Sequence, residues 1–179
     1  MIPVPRETPS INPFPQLIMG LPRTFVGFSS ADIKYYRLMQ AWKTNEHIDF
    51  SFTDCQLPDV VNSENEDYVK RKCRERINMA GKFIQLIGEN TRFKRKYVRW
   101  EAEAAIEKGC TMIGVNLNGS REHDALCPSW LEGIGAIFIP FSPAIVKYSL
   151  ENYKMFEDGN YHYKDSVYTQ LGYPSLTKR

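Results

Sequence analysis

From Arg23 onward, short apolar and β-branched runs alternate with stretches of helical period. TFVGF (24–28), IDFSFT (48–53), KFIQLIG (82–88), TMIGVNL (111–117) and GAIFIPF (135–141) read as strands. The third and fifth are almost continuously apolar, as expected of strands covered on both faces. Between them, Tyr35, Leu38, Met39 and Trp42 recur at helical spacing, and Val69, Cys73, Ile77 and Ala80 form a second stripe after the acidic start SENEDY. A further helix is expected near 143–153. Alternating strand and helix predicts an α/β fold, a doubly wound parallel five-stranded sheet. Such sheets bind ligands beyond the carboxyl ends of their strands. The segments 28–32, 53–57, 88–91 and 116–120 should therefore surround one cleft.

The flanks differ from this pattern. Prolines at 3, 5, 9, 13, 15 and 22 make residues 1–22 an arm, because proline removes backbone donors that helices and inner strands need. The domain itself should run from 23 to 153. An aromatic tail, 154–179, follows, and the five aromatics between Phe156 and Tyr173 are expected to pack on their own domain.

One helical stretch carries candidate chemistry. In YVRWEAEAAIEKG (97–109), Val98, Ala102, Ala105 and Ile106 share one stripe and should face the sheet. Glu101 falls at the edge of that stripe with Tyr97 one turn before it, while Trp100 and Glu103 point away. A carboxyl at a core boundary beside an aromatic ring can be partly desolvated, which makes Glu101 the chemical candidate. The structural alternative is that Glu101 pairs with Arg95, Arg99 or Lys108 on a solvated face.

Composition excludes more than it selects. With 23 basic and 21 acidic residues among 179, the formal charge is +2, too small to suggest nucleic acid or a membrane surface as the main partner. The basic run KRKCRER (70–76) spreads around the polar face of a helix and reads as solvated. Cys55, Cys73, Cys110 and Cys127 show no metal-ligand spacing and read as free thiols of a cytoplasmic protein. No run approaches the roughly 20 apolar residues of a membrane span. A glycine-rich phosphate loop is absent, so a diphosphate would rest on backbone donors near Ser29 and Ser30 at a helix start. Asn116 and NGS (118–120) fit an ordinary Asn-Gly turn better than a pocket wall.

FVGFSSAD (25–32) resembles the first box of Toll/interleukin-1 receptor (TIR) domains, and YVRWE (97–101) stands where those domains carry a W-C-x-x-E helix. The order FVGF, AWKTNEHIDFSFTD, YVKRKCRERI, LIGENT and VRWEAEAAIEKG is similar to the bacterial and archaeal TIR-like family that includes the Thoeris antiphage proteins. The resemblance spans about 23–150. It implies a flavodoxin-like domain that takes NAD as substrate, without a separate cofactor, and cleaves its nicotinamide glycosidic bond. The product would be a cyclic ADP-ribose-type signal read by an effector.

By the same resemblance Glu101 matches the catalytic glutamate, and Tyr97 stands where many TIR enzymes place a tryptophan against nicotinamide. Phe28 and Ser29 match the pocket-lining turn, Asp32 the acidic residue of the first box, and Asp54 the loop after the second strand. A phage component as trigger and a site completed between protomers also follow from the family. Gly27 in place of serine, Tyr97 in place of tryptophan and the absence of an R-D-x-x-P-G loop depart from receptor TIR domains. Two rivals remain. A receiver domain shares the topology, but LIGEN and FIPFS lack its phosphoacceptor and lysine. A non-catalytic TIR-like scaffold would use Trp100 and the proline-rich arm as contact surfaces.

Overall fold

The computed structural model describes residues 21–56 and 65–176. Nearly all of the proline-rich arm, residues 57–64 and the last three residues of the tail, 177–179, lie outside the described residues.

Among the described residues six parallel strands form the sheet: β1 (Arg23–Gly27), β2 (Thr53–Asp54), β3 (Lys82–Ile87), β4 (Thr111–Asn116), β5 (Ile134–Pro140) and β6 (Gly159–Tyr161), in the order β2-β1-β3-β4-β5-β6. Helices α1 (Ile33–Thr44), α2 (Glu66–Met79), α3 (Tyr97–Lys108), α4 (Pro143–Asn152) and α5 (Asp165–Gln170) cover the two faces. The expected α/β, flavodoxin-like architecture is present, with six strands rather than five.

Two hydrophobic layers lie on opposite faces of the sheet, because strand side chains alternate. Val26, Ile84 and Leu86 pack against Met39 and Trp42 of α1 and Ile145, Val146 and Leu150 of α4. Phe25, Phe83 and Ile87 pack against Ile77 of α2 and Val98, Ala102 and Ala105 of α3. Phe25 and Phe83 stack with centroids 5.7 Å apart, and each buried ring of this kind contributes roughly 2–3 kcal/mol of transfer free energy. Local signals set the helix starts. The Asn65 side chain accepts the Tyr68 N–H at 3.1 Å ahead of Glu66 and Asp67, and proline opens α4.

Two segments differ from the sequence pattern. The run 48–53 yields only the tip of β2, because Phe50 and Phe52 turn into the α1 layer, where Phe50 meets Trp42 edge-on at 5.3 Å. The described part of the tail, 154–176, is part of the fold. It supplies β6 and α5, and it buries Tyr168 completely while Tyr161, Tyr163 and Tyr173 pack against the same layer. Phe156 stays 55% exposed, yet it stacks on Tyr161 at 4.3 Å.

Gly27, the departure from the usual serine, has a packing reason. A Cβ there would come within 2.7 Å of Phe83 Cζ, so the bulky ring on β3 requires the bare backbone beside it.

Candidate active site

Glu101 sits in the second turn of α3, half-buried, between the core residues Val98 and Ala102. Its Oε1 lies 3.8 Å from the Cys73 thiol of α2. The ion pairs weighed from sequence do not form. Arg99 bonds Glu103 at 2.7 Å, the Lys108 ammonium donates to the Ala80 carbonyl, and among the described residues no cation pairs with Glu101. Burial without a counter-ion pushes the Glu101 carboxyl up to about 8, with the weak Cys73 contact opposing only in part. Burial first, and then the facing glutamate, pushes the Cys73 thiol up to about 12, so it stays protonated and unreactive.

Tyr97 opens α3, half-buried, with the Lys96 ammonium 5.2 Å from its ring centre. Trp100 does not point into solvent as its helical angle suggests. It lies half-buried against α2, within 5.8 Å of Lys70 and 5.6 Å of Arg74, held by cation-π contact.

The remaining sequence candidates divide between the two faces of the sheet. Phe28 turns to the α1 face and stacks on Tyr36 at 4.8 Å, away from Glu101. Asp54 is on that face too: its Oδ2 accepts the Tyr36 hydroxyl at 2.6 Å and the Gln40 amide, and its Oδ1 accepts the Gln56 N–H at 2.8 Å. These bonds tie β2 to α1, and Asp54 is occupied structurally. Ser30 is exposed in the short 3-10 turn before α1, whereas Ser29 is fully buried and its hydroxyl is unpartnered.

Asp32 caps α1 by position but makes no capping bond with its side chain. It leans on Gly88, where a Cβ would stand 2.5 Å from Oδ2, and burial raises its pKa despite the opposing charge of Lys34. Beside it a polar cavity of about 330 Å³ opens at the carboxyl ends of β1, β3 and β4, lined by Lys34, Tyr35, Glu89, Asn90 and Asn118 among others. Three of the four segments expected around a cleft thus meet, while Glu101 is not among the residues lining that cavity. Among the described residues no group of three or more His, Cys, Asp and Glu side chains is placed to hold a metal, and no helix is long and apolar enough to cross a membrane.

Two residues beyond the sequence candidates belong to the Glu101 face. Cys73 reads in sequence as one more member of a core stripe, and only the packing of α2 on α3 brings it to the carboxyl. Gln85 is a lone amide inside an apolar strand. It is fully buried, its Nε2 donates to the carbonyls of Gly27 at 3.1 Å and Leu86 at 3.3 Å, and among the described residues its Oε1 has no partner. The signal was the polar side chain interrupting KFIQLIG.

Residues 25–122, more than half of the chain and running from β1 past β4, match the sequence model of a family described as Thoeris protein ThsB, TIR-like domain. No curated protein matches the chain.

Proposed function

The chain belongs to the Thoeris ThsB TIR-like family of antiphage defence, and on that premise we propose that it cleaves NAD at the nicotinamide glycosidic bond to make a cyclic ADP-ribose-type signal for an effector. The observation that carries this reading is Glu101: a half-buried carboxyl on the α3 seam, held above its ordinary pKa for want of a cation. A structural glutamate at a core edge would be expected to find an arginine or lysine, and several stand nearby on the same helices.

When the C1′–N bond of NAD breaks, the bonding electron pair goes to the ring nitrogen and nicotinamide leaves neutral. The ribosyl carbon becomes cationic. A carboxylate beside that carbon lowers the barrier by electrostatic stabilisation, as in glycosidases. Before cleavage the nicotinamide ring of bound NAD is a pyridinium cation. Its arrival supplies the counter-charge that the described residues do not give Glu101, and so favours the ionised form in which the side chain is useful. Tyr97, one turn earlier on α3, is placed to stack on the ring, a contact worth roughly 0.5–2 kcal/mol. With Phe28 engaged by Tyr36 on the other face, stacking falls to Tyr97. The backbone N–H groups after Ser29 and Ser30, in the 3-10 turn before α1, suit the diphosphate. Asp32 and the adjoining cavity suit a hydroxyl-rich part of the dinucleotide. Attack by adenine closes a ring, and attack by water gives ADP-ribose.

In this reading a phage component is the trigger and a second copy of the chain completes the site. The test is protection. Cells carrying the gene with its neighbouring effector gene are challenged with phage, and plaquing is compared for wild type and Glu101→Gln at matched protein levels. Loss of protection by at least a hundredfold with Glu101→Gln is expected. Full protection by that variant would leave a non-catalytic scaffold as the account.

A further inference from the structure

Two fully buried polar atoms on the Glu101 face of the sheet, Gln85 Oε1 and Ser29 Oγ, lack partners among the described residues, and they are complementary. Gln85 stands opposite Gly27 in the β1–β3 ladder and spends both amide hydrogens on backbone carbonyls, which fixes its Oε1 as a free acceptor. Ser29 follows Gly27 by two residues with extended backbone, φ −70° and ψ 143°, so its side chain falls on the same face about 6.6 Å farther along. Ser29 stands where a serine ordinarily caps a helix, but its hydroxyl makes no capping bond and is a free donor. Buried polar groups without partners are rare enough in folded proteins that each calls for an explanation, a bound ligand or an ordered water.

The pair lies beneath the proposed catalytic seam. Phe83 and Ile87, which flank Gln85 on its face of β3, share one packed layer with Val98 and Ala102, which flank Glu101 on α3. At the level of Glu101 a polar contact between α2 and α3 is the thiol–carboxyl approach of 3.8 Å, among the weakest of polar links.

We propose that Gln85 and Ser29 form a carboxamide-recognition pair, Gln85 Oε1 accepting an amide N–H of nicotinamide and Ser29 Oγ donating to its carbonyl. The pair fixes the ring in the seam and selects dinucleotides that carry a primary amide. The identity of that amide rests on the NAD-cleaving reading, while the complementarity of acceptor and donor does not. A site that hydrogen-bonds a ligand group discriminates sharply against analogues lacking it, because the buried partner is then left unpaired.

The experiment compares nicotinamide with 3-acetylpyridine, which replaces the amide NH2 by a methyl group and keeps the carbonyl. Binding to purified full-length wild type, Gln85→Leu and Ser29→Ala is titrated by NMR, with circular dichroism and thermal melting confirming folding. Wild type should favour nicotinamide by about tenfold or more, in line with one lost hydrogen bond at a buried acceptor. Gln85→Leu should bring the two ligands within about twofold. Ser29→Ala should weaken both by a similar factor, since both retain the carbonyl. An unchanged preference in Gln85→Leu, or no nicotinamide binding by wild type, overturns the assignment; the latter is the result if an ordered water alone satisfies the pair. Selective nicotinamide binding by wild type, with NAD levels in infected cells unaffected by the protein, would sink the enzyme reading and leave the carboxamide pair standing.

Discussion

Replacing Glu101 by glutamine should stabilise the protein, and increasingly so as pH rises. The folded carboxyl titrates near 8 against an ordinary value of 4.5. Below pH 4.5 both folded and unfolded chains hold the proton and nothing is gained. Between 4.5 and 8 the unfolded chain loses a proton that the folded chain keeps, so wild-type stability falls by about 1.4 kcal/mol per pH decade. Above 8 both forms are ionised and the full penalty remains. The ceiling is about 5 kcal/mol, and water reaching a half-buried side chain reduces it to about 2–3 kcal/mol. Glutamine preserves the shape and cannot ionise. Urea unfolding of wild type and Glu101→Gln at pH 5, 7 and 9 should show a variant within about 1 kcal/mol of wild type at pH 5, and about 2–3 kcal/mol more stable at pH 9. The difference between the two proteins cancels titrations elsewhere. A difference that stays flat from pH 5 to 9 would refute a desolvated, unpaired Glu101.

Three further outcomes follow from the same geometry. NAD binding at pH 7 should release close to one proton, because the cationic ring drives Glu101 to ionise; calorimetry in buffers of different ionisation enthalpy measures this, and Glu101→Gln should abolish it. Gly27→Ser should cost about 1–3 kcal/mol through overpacking on Phe83, and Phe83→Leu in the same chain should recover most of the loss in thermal melts. Tyr36→Phe should cost about 1.5–3 kcal/mol by removing the hydroxyl bond to the Asp54 carboxylate; NAD turnover per folded molecule should be unchanged, since that bond lies on the face opposite Glu101.

The alternation of strands and helices was legible because each long strand carries its own apolar run and each helix its own stripe. Elements without such a run were not. β6 has three residues and no period of its own, and it exists because β5 offers an edge and Tyr161 joins an aromatic layer already built by α1 and α4. Phe50 and Phe52 look like strand residues but gain more by burying their rings beside Trp42. The half-buried place of Glu101 was visible from helical angle, since its position at the stripe's edge depends only on its own helix. Its partner was not, because Cys73 lies 28 residues earlier and meets it only through the packing of two helices. Phe28 was grouped with Glu101 through the resemblance to the family's pocket-lining turn, whereas β alternation turns it to the opposite face. Trp100 illustrates the same limit: a helical wheel gives direction relative to the sheet and does not register a neighbouring helix standing in that direction.

Mass spectrometry of NAD and cyclic ADP-ribose-type products in phage-infected cells expressing wild type or Glu101→Gln at equal levels tests the role of Glu101 most directly. NAD loss and a cyclic product are expected with wild type, and neither with the variant. The same product from both proteins would contradict the role given to Glu101, and no product from either, with protection intact, would contradict the enzyme itself.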